Sequence, residues 1–128
     1  TLENQSISTF HLEQDLGDVT IKNSLLSNAN IKVDSGNLNL DNLQIDSGKI
    51  DTNLGDLSAT NLTINKALAV NTDMGNTAIA LSPKSKAETS VTATVDLGDK
   101  KISSDLIQGK AGKSQLTIEG DTGDIEVN

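Results

Sequence analysis

The chain has 128 residues and carries a net charge of −8, from eighteen acidic and ten basic residues. This length suits one domain, residues 1–128, and the negative charge argues against nucleic acid and against direct docking on an anionic membrane face. Cysteine is absent and Phe10 is the only Phe, Tyr or Trp, so disulfides are excluded and aliphatic side chains must form the core.

The first segment, residues 1–14, precedes the first signature glycine and predicts a strand that caps one end of the molecule. It contains Phe10 and His11. Because His11 is the only histidine and has no cysteine to act with, a capping role is favoured over a catalytic one. The pattern is already under way at Thr1, so we expect the chain to be a segment of a longer protein.

A glycine signature recurs after this segment at a nearly constant interval. The first four signature glycines are separated by 19, 19 and 20 residues, and each is followed by alternating polar and aliphatic residues. A fixed period of this length predicts a stack of repeated units, with glycine supplying the positive φ of each turn. The six signature glycines are Gly17, Gly36, Gly55, Gly75, Gly98 and Gly123.

Each interval contains three short bursts of apolar residues that alternate at period two, and no sustained helical pattern. The predicted fold class is therefore all-β, a single-stranded parallel β-helix or β-solenoid of about six coils. Residues one period apart should stack into core columns. These columns are Val19, Leu38, Leu57 and Thr77; Ile21, Leu40, Ala59 and Ile79; and Leu25, Leu43 and Leu62.

The pattern loosens over residues 82–90, which are polar and predict a protruding loop. Its residues Pro83, Lys84 and Lys86, together with Lys110 and Lys113 further on, are either simply solvated or a patch for an acidic partner. The final strand, with Ile125 and Val127, has no covering segment after it and is predicted to be an open edge that a partner strand could join.

Aspartates flank the signature glycines and should form two polar columns. Asparagine interrupts both columns at positions 37, 53 and 76. This dilution favours turn formation by local side-chain hydrogen bonds over calcium binding, and paired carboxylates for glycoside hydrolysis are less favoured still. We predict no catalytic residue, cofactor or metal; the candidate calcium ligands, if that interpretation is wrong, are Asp15, Asp18, Asp34, Asp56, Asp73, Asp96, Asp99, Asp121 and Asp124.

Over nearly its whole length, the chain resembles the bacterial adhesin-like β-strand-repeat family known as the toast-rack domain, a domain of unknown function; the earlier coils match the family's repeated Gly-x-aliphatic-x-aliphatic phrase. The likeness rests on Leu81-Ser-Pro-Lys, on Val95-Asp-Leu-Gly-Asp-Lys-Lys-Ile-Ser-Ser-Asp105, on Gly109-Lys-Ala-Gly-Lys113 and on Leu116-Thr-Ile-Glu-Gly-Asp-Thr-Gly-Asp-Ile-Glu-Val127. The resemblance implies a right-handed β-helix-like fold, often attached to membrane-anchored or envelope-stress proteins, with no established catalytic residues.

We therefore expect a non-enzymatic interaction or scaffold module at a bacterial cell surface or envelope, anchored to the membrane through a segment outside these residues. Its expected partner is a protein or another envelope component. Two alternatives stay open, a polysaccharide-active β-helix enzyme and a calcium-stabilised surface repeat. The sequence leaves the oligomeric state and the partner's identity undetermined.

Overall fold

The computed structural model describes residues 2–102, 107–108 and 114–128, and these form thirteen β-strands and one short α-helix. In chain order the elements are β1 (Leu2–Glu3), β2 (Ser6–Leu16), β3 (Val19–Lys22), β4 (Leu25–Ser35), β5 (Leu38–Asp41), β6 (Gln44–Leu54), β7 (Leu57–Met74), β8 (Thr77–Leu81), α1 (Pro83–Glu88), β9 (Thr89–Leu97), β10 (Lys100–Ile102), β11 (Ile107–Gln108), β12 (Ser114–Thr122) and β13 (Ile125–Val127).

All strand pairings within these ranges are parallel, as the predicted solenoid requires. The short strands stack in the order β1, β3, β5, β7, β8, β13, β10 and form one sheet. The long strands stack in the order β2, β4, β6, β7, β12, β9, β11 and form the other. Strand β7 belongs to both sheets because it continues around the corner between them. The fold is an all-β parallel solenoid.

The core fills the space between the sheets, and two of the three predicted columns occupy it as expected. Strand pairing stacks Leu38 between Val19 and Leu57, and Leu40 between Ile21 and Ala59. The third column is wrong by one residue. Ser24 is buried there with Leu43 and Leu62, whereas Leu25 is 37% exposed on the outside.

The shift has a local cause at the corner before these residues. Asn23, Asn42 and Asn61 stack at this corner with φ of +50°, +52° and +53°, and Asn4 takes the same conformation in the first coil. Asparagine tolerates this left-handed conformation better than most residues. The turn directs the next side chain inward, so the inward column begins at Ser24 and not at Leu25.

The interval of 20 residues between Gly55 and Gly75 corresponds to one extra residue in β7. The register between β6 and β7 shifts after Ile45, where a β-bulge accommodates the insertion. The Asn65 side-chain amide donates to Asp46 Oδ1 at 2.6 Å across this bulge. The stacking columns regain their register beyond it.

The last part of the chain does not stack at the end of the solenoid. After β8 the chain crosses through α1 to β9 and leaves one level empty, which β12 and β13 later fill. Strand β13 therefore pairs with β8 on one side and with β10 on the other. The prediction that Ile125 and Val127 form an open edge is wrong, because both are buried in the middle of the sheet.

Within residues 82–90, where the sequence predicted a protruding loop, Pro83–Glu88 form helix α1, which packs on the solenoid, and Thr89 and Ser90 begin β9. Ser82 is the N-cap of α1, and its hydroxyl accepts from the Ser85 N–H at 3.3 Å. Pro83 follows at a position where its missing N–H costs nothing. Ser85 is buried and accepts the N–H of Ile64 at 2.9 Å, so the helix covers part of the β7 edge.

Candidate functional site

The signature glycines stack at one corner of the solenoid, in the spatial order Gly17, Gly36, Gly55, Gly75, Gly123 and Gly98. All six have φ between +116° and +141°, which side chains disfavour. A second constraint acts on five of them. A Cβ on Gly55 would collide with the carbonyl of Gly36 beneath it, and the same holds at every level above the first. Only Gly17 has no stacked carbonyl against it.

The polar residue after each glycine links neighbouring levels. Asp18 Oδ1 accepts the backbone N–H of Asn37 at 2.9 Å, and Asn37 Oδ1 accepts that of Asp56 at 3.0 Å. The same bond continues through Asn76, Asp124 and Asp99. The sequence predicted hydrogen bonds within each turn, but these oxygens accept from the equivalent residue one level away. Their role is to hold the stack in register.

The residue before each glycine protrudes from the corner and forms a column that we call the glycine ridge. Of the five large apolar residues that are exposed in the described part of the chain, four lie in this column. Leu54 and Met74 are adjacent at its centre and are 46% and 55% exposed. The ridge consists of Leu16, Ser35, Leu54, Met74, Thr122 and Leu97.

Carboxylates border the ridge on both sides. The columns two residues before and one residue after each glycine contain nine aspartates and three asparagines. The first column is Asp15, Asp34, Asn53, Asp73, Asp121 and Asp96, and the second is Asp18, Asn37, Asp56, Asn76, Asp124 and Asp99. The ridge is therefore a column about 24 Å long, at about 4.8 Å per level, which is apolar at four of its six levels and lies between two acidic columns.

An acidic groove of about 500 Å³ lies beside the centre of the ridge. The groove crosses four levels, and Lys32 is the only basic residue among the described residues that line it. Asn53 donates to Asp34 at 3.3 Å, so part of the carboxylate charge is already shared with amides. The acidic lining is Asp34, Asp51, Asp73, Glu119 and Asp121.

Two neighbouring carboxyls in the groove influence each other's protonation. The hydrogen bond that protonated Asp121 donates to the Asp73 carboxylate, together with the negative charge of Asp73, raises the pKa of Asp121 above the ordinary 3.8. A hydrogen bond between two carboxyls requires one of them to be protonated. When both carboxyls are ionised they repel each other, and a cation from a partner would relieve the repulsion.

These carboxylates are the candidate calcium ligands, yet across the described ranges no group of three or more His, Cys, Asp or Glu has a geometry that could hold a metal ion. Three of the nine candidates, Asp18, Asp56 and Asp124, already accept a backbone N–H from the next level. Turn formation without calcium stays a prediction, which a thermal melt in calcium would test.

The other predicted partner residues lie away from the ridge. Pro83 and Lys84 are exposed on α1, and Lys86 is half-buried there. Lys110 and Lys113 lie outside the described residues. His11 and Glu13 are side by side on the surface, with 3.4 Å between Nε2 and Oε1.

Sequence reasoning missed the ridge and the asparagine corner, although both have the glycine period. Asn4, Asn23, Asn42 and Asn61 are separated by 19 residues each, and the Leu-Gly or Met-Gly pairs recur with the signature itself. The apolar residue before each glycine had been grouped with no column. Alternation at period two would have placed it inside, because it follows an exposed aspartate, but the alternation is interrupted just before the glycine turn.

The fold and its surface define a parallel β-solenoid repeat domain with an apolar and acidic ridge at its glycine corner. The family model Toastrack DUF4097 matches residues 1–128, and the chain belongs to this family, whose function is unknown. No curated protein and no solved structure matched the chain. Among the described residues, no helix has both the length and the apolar character needed to cross a membrane.

Proposed function

We propose that this Toastrack domain is a non-enzymatic interaction module at a bacterial cell surface or envelope, and that it binds a protein partner along the glycine ridge. The observation that carries the proposal is the gathering of four exposed apolar side chains in one column of the repeat. Apolar residues scattered singly over a surface need no explanation, but an exposed apolar strip is typical of binding surfaces.

The acidic borders specify the chemistry of the partner. A matching segment would place apolar side chains on Leu54 and Met74, with lysine or arginine in the groove beside them. Cationic groups there would meet Asp73 and Asp121, whose mutual repulsion they would offset. The proposed partner is therefore a basic, amphipathic segment of a protein in the envelope. Charge complementarity of this kind accelerates association and makes it sensitive to salt.

A binding experiment with immobilised domain and envelope extract tests this function. The variant Leu54→Gln with Met74→Gln should lose any specific partner that the wild type retains. The control is Leu25→Gln, which removes the exposed leucine that lies outside the ridge. A partner that both variants retain equally, or binding that rises with salt, would contradict the proposed surface.

The lysines of α1 supply a second, separate arm of the same experiment. Lys84→Glu with Lys86→Glu reverses the charge of the surface predicted for an acidic partner. We expect this variant to bind like the wild type. Loss of the partner from this variant alone would move the contact to α1.

A further inference from the structure

Within the described residues, the first level of the solenoid and the level of β9 and β10 differ from the levels between them in one respect. Inward-facing columns contain aliphatic residues, Thr, Ser or Gly in the inner levels, but long polar residues replace them at the ends. Gln5 stands in the column of Ser24 and Leu43, and Gln14 in the column of Val33. At the other end, Lys100 stands in the column of Ile125.

Each of the two glutamines donates its side-chain amide to a backbone carbonyl. In the inner levels, the equivalent carbonyls accept a backbone N–H from a neighbouring level. In the second level, the Ser35 carbonyl accepts the N–H of Gly17 from the level before it. The equivalent carbonyl of the first coil, on Leu16, accepts the Gln14 side-chain amide at 2.6 Å. Likewise, the Lys22 carbonyl in the second level accepts the N–H of Asn4 from the level before it. The equivalent carbonyl of the first level, on Glu3, accepts the Gln5 side-chain amide at 3.1 Å.

Lys100 acts similarly at the opposite end of the core. Its ammonium donates to the Ala93 carbonyl at 3.1 Å and so bridges from β10 to β9 across the end of the core. An added level would bury this charge, which is costly without a partner carboxylate. Short strand β11 also pairs with Ser90 and Val91 on the outer edge of β9.

We propose that Gln5, Gln14 and Lys100 close the two ends of the solenoid against addition of another β-strand, in particular one from a second copy of this chain. Parallel stacks with a repeated phrase invite such addition, because every level is a template for the next. The closed ends leave the lateral surface for partners. This inference is independent of the ridge, since it rests on the end levels alone.

The first test opens the amino-terminal end. Gln5→Leu with Gln14→Val introduces side chains like those of the adjoining columns and removes both amide caps. The matched control is Gln44→Leu with Gln115→Val, which makes the same exchanges at exposed lateral positions. By sedimentation, the wild type and the control should stay monomeric as concentration rises, and the opened variant should associate. An opened variant that is folded by circular dichroism and stays monomeric would overturn the proposal.

A second measurement needs only the wild type and so does not depend on how the variant folds. A synthetic peptide of residues 19–35 matches one complete repeat of the solenoid. Closed ends predict no binding of this peptide to the wild type by calorimetry. Binding to the wild type with protection of β2 amides from hydrogen exchange would overturn the proposal.

The carboxyl-side end is tested by Lys100→Leu, with Lys101→Leu as its control. Lys101 is exposed and alternates with Lys100 on the same strand, so its change leaves the core end covered. Combined with the opened amino-terminal variant, Lys100→Leu should increase association further, and Lys101→Leu should not. Equal association with either leucine would remove Lys100 from the proposal.

Discussion

Backbone crowding at the glycine corner makes the cost of a substitution depend on the level at which it is made. Gly17 and Gly55 both have positive φ, +116° and +130°. A methyl group on Gly55 would overlap the carbonyl of Gly36, whereas one on Gly17 would meet only the Gln14 side chain at 3.2 Å. Substitutions at Gly17 and at Gly55 therefore separate the cost of a positive φ from the cost of a clash with the level beneath.

We predict that Gly17→Ala costs about 1–3 kcal/mol of unfolding free energy from strained φ. Gly55→Ala should cost a further 1–3 kcal/mol, roughly, because the stack must also move apart. Urea denaturation of the two variants provides the comparison. Equal losses would mean that the levels are not in direct contact at this corner.

The Asp73 and Asp121 pair gives a prediction about pH. Because the folded-state pKa of Asp121 is raised, the folded chain holds this proton to higher pH than the unfolded chain does. Stability is then lost as pH rises through the raised pKa. We expect Asp121→Asn to melt at a higher temperature than the wild type at neutral pH, and the difference to vanish below pH 3.8.

Asp41→Asn serves as the control for this experiment, because Asp41 pairs with Lys22 and Thr60 across the short-strand sheet. Loss of its charge should leave the melting temperature unchanged or slightly lower. A neutral-pH gain in both variants would trace to the net charge of −8 and not to the carboxyl pair.

At this scale the sequence predicted which residues share a column. It did not predict the hydrogen-bond partners of their side chains. The period places Asp18 directly beneath Asn37 in the stack, whatever the turn geometry. An aspartate oxygen can reach either an N–H of its own turn or the N–H of the equivalent residue one level away, and the two donors differ in position by only a few ångströms. Which donor it reaches is decided by how closely the glycines stack, and this spacing cannot be read from a local sequence pattern.

At the scale of elements, the strands were predictable because alternation at period two and stacking at period 19 agree. The corners were not, since one residue of displacement exchanges the inside and the outside of a strand. Leu25 shows this: the smaller Ser24 follows the asparagine corner directly and lies inside, and Leu25, one residue further on, lies outside. Helix α1 was missed although Ser82 and Pro83 form a recognisable helix start.

The core columns give a prediction for individual strands. Leu40→Ala in β5 should cost about 2–5 kcal/mol, because Leu40 is buried between Ile21 and Ala59 and its loss leaves a cavity. Leu25→Ala in β4 should cost less than about 1 kcal/mol, because Leu25 is exposed. Chemical denaturation measures both losses of unfolding free energy. A larger loss for Leu25→Ala than for Leu40→Ala would return Leu25 to the core column that the sequence predicted.

At the scale of the whole molecule, the chain order of the strands differs from their spatial order. Repeat proteins usually stack each unit on the one before it, and that rule predicted β13 at an open end. Here the link through α1 skips one level of the stack. Strands β12 and β13, which come last in the chain, fill that level. The sequence gives only a widened interval and a proline at this place, and neither specifies where the later strands return.

The inserted level gives a strong prediction for truncation. Removal of residues 124–128 should abolish cooperative unfolding, because β8 and β10 both lose their neighbour within the sheet. Removal of residues 1–16 should only lower the melting temperature, because an end coil has a neighbour on one side alone. Calorimetry distinguishes the two results; a folded product after the carboxy-terminal removal would place β13 at an edge after all.

The most direct test of the account is site-specific photo-crosslinking from the ridge in cells that naturally make the protein. The crosslinking residue p-benzoylphenylalanine is placed at Met74 on the ridge, and in separate variants at Asn39 on the short-strand sheet and at Lys84 on α1. We predict a defined adduct from position 74 alone, with the crosslink in a basic and apolar segment of the partner. The same adduct from all three positions, or adducts from positions 39 or 84 and none from position 74, would contradict it.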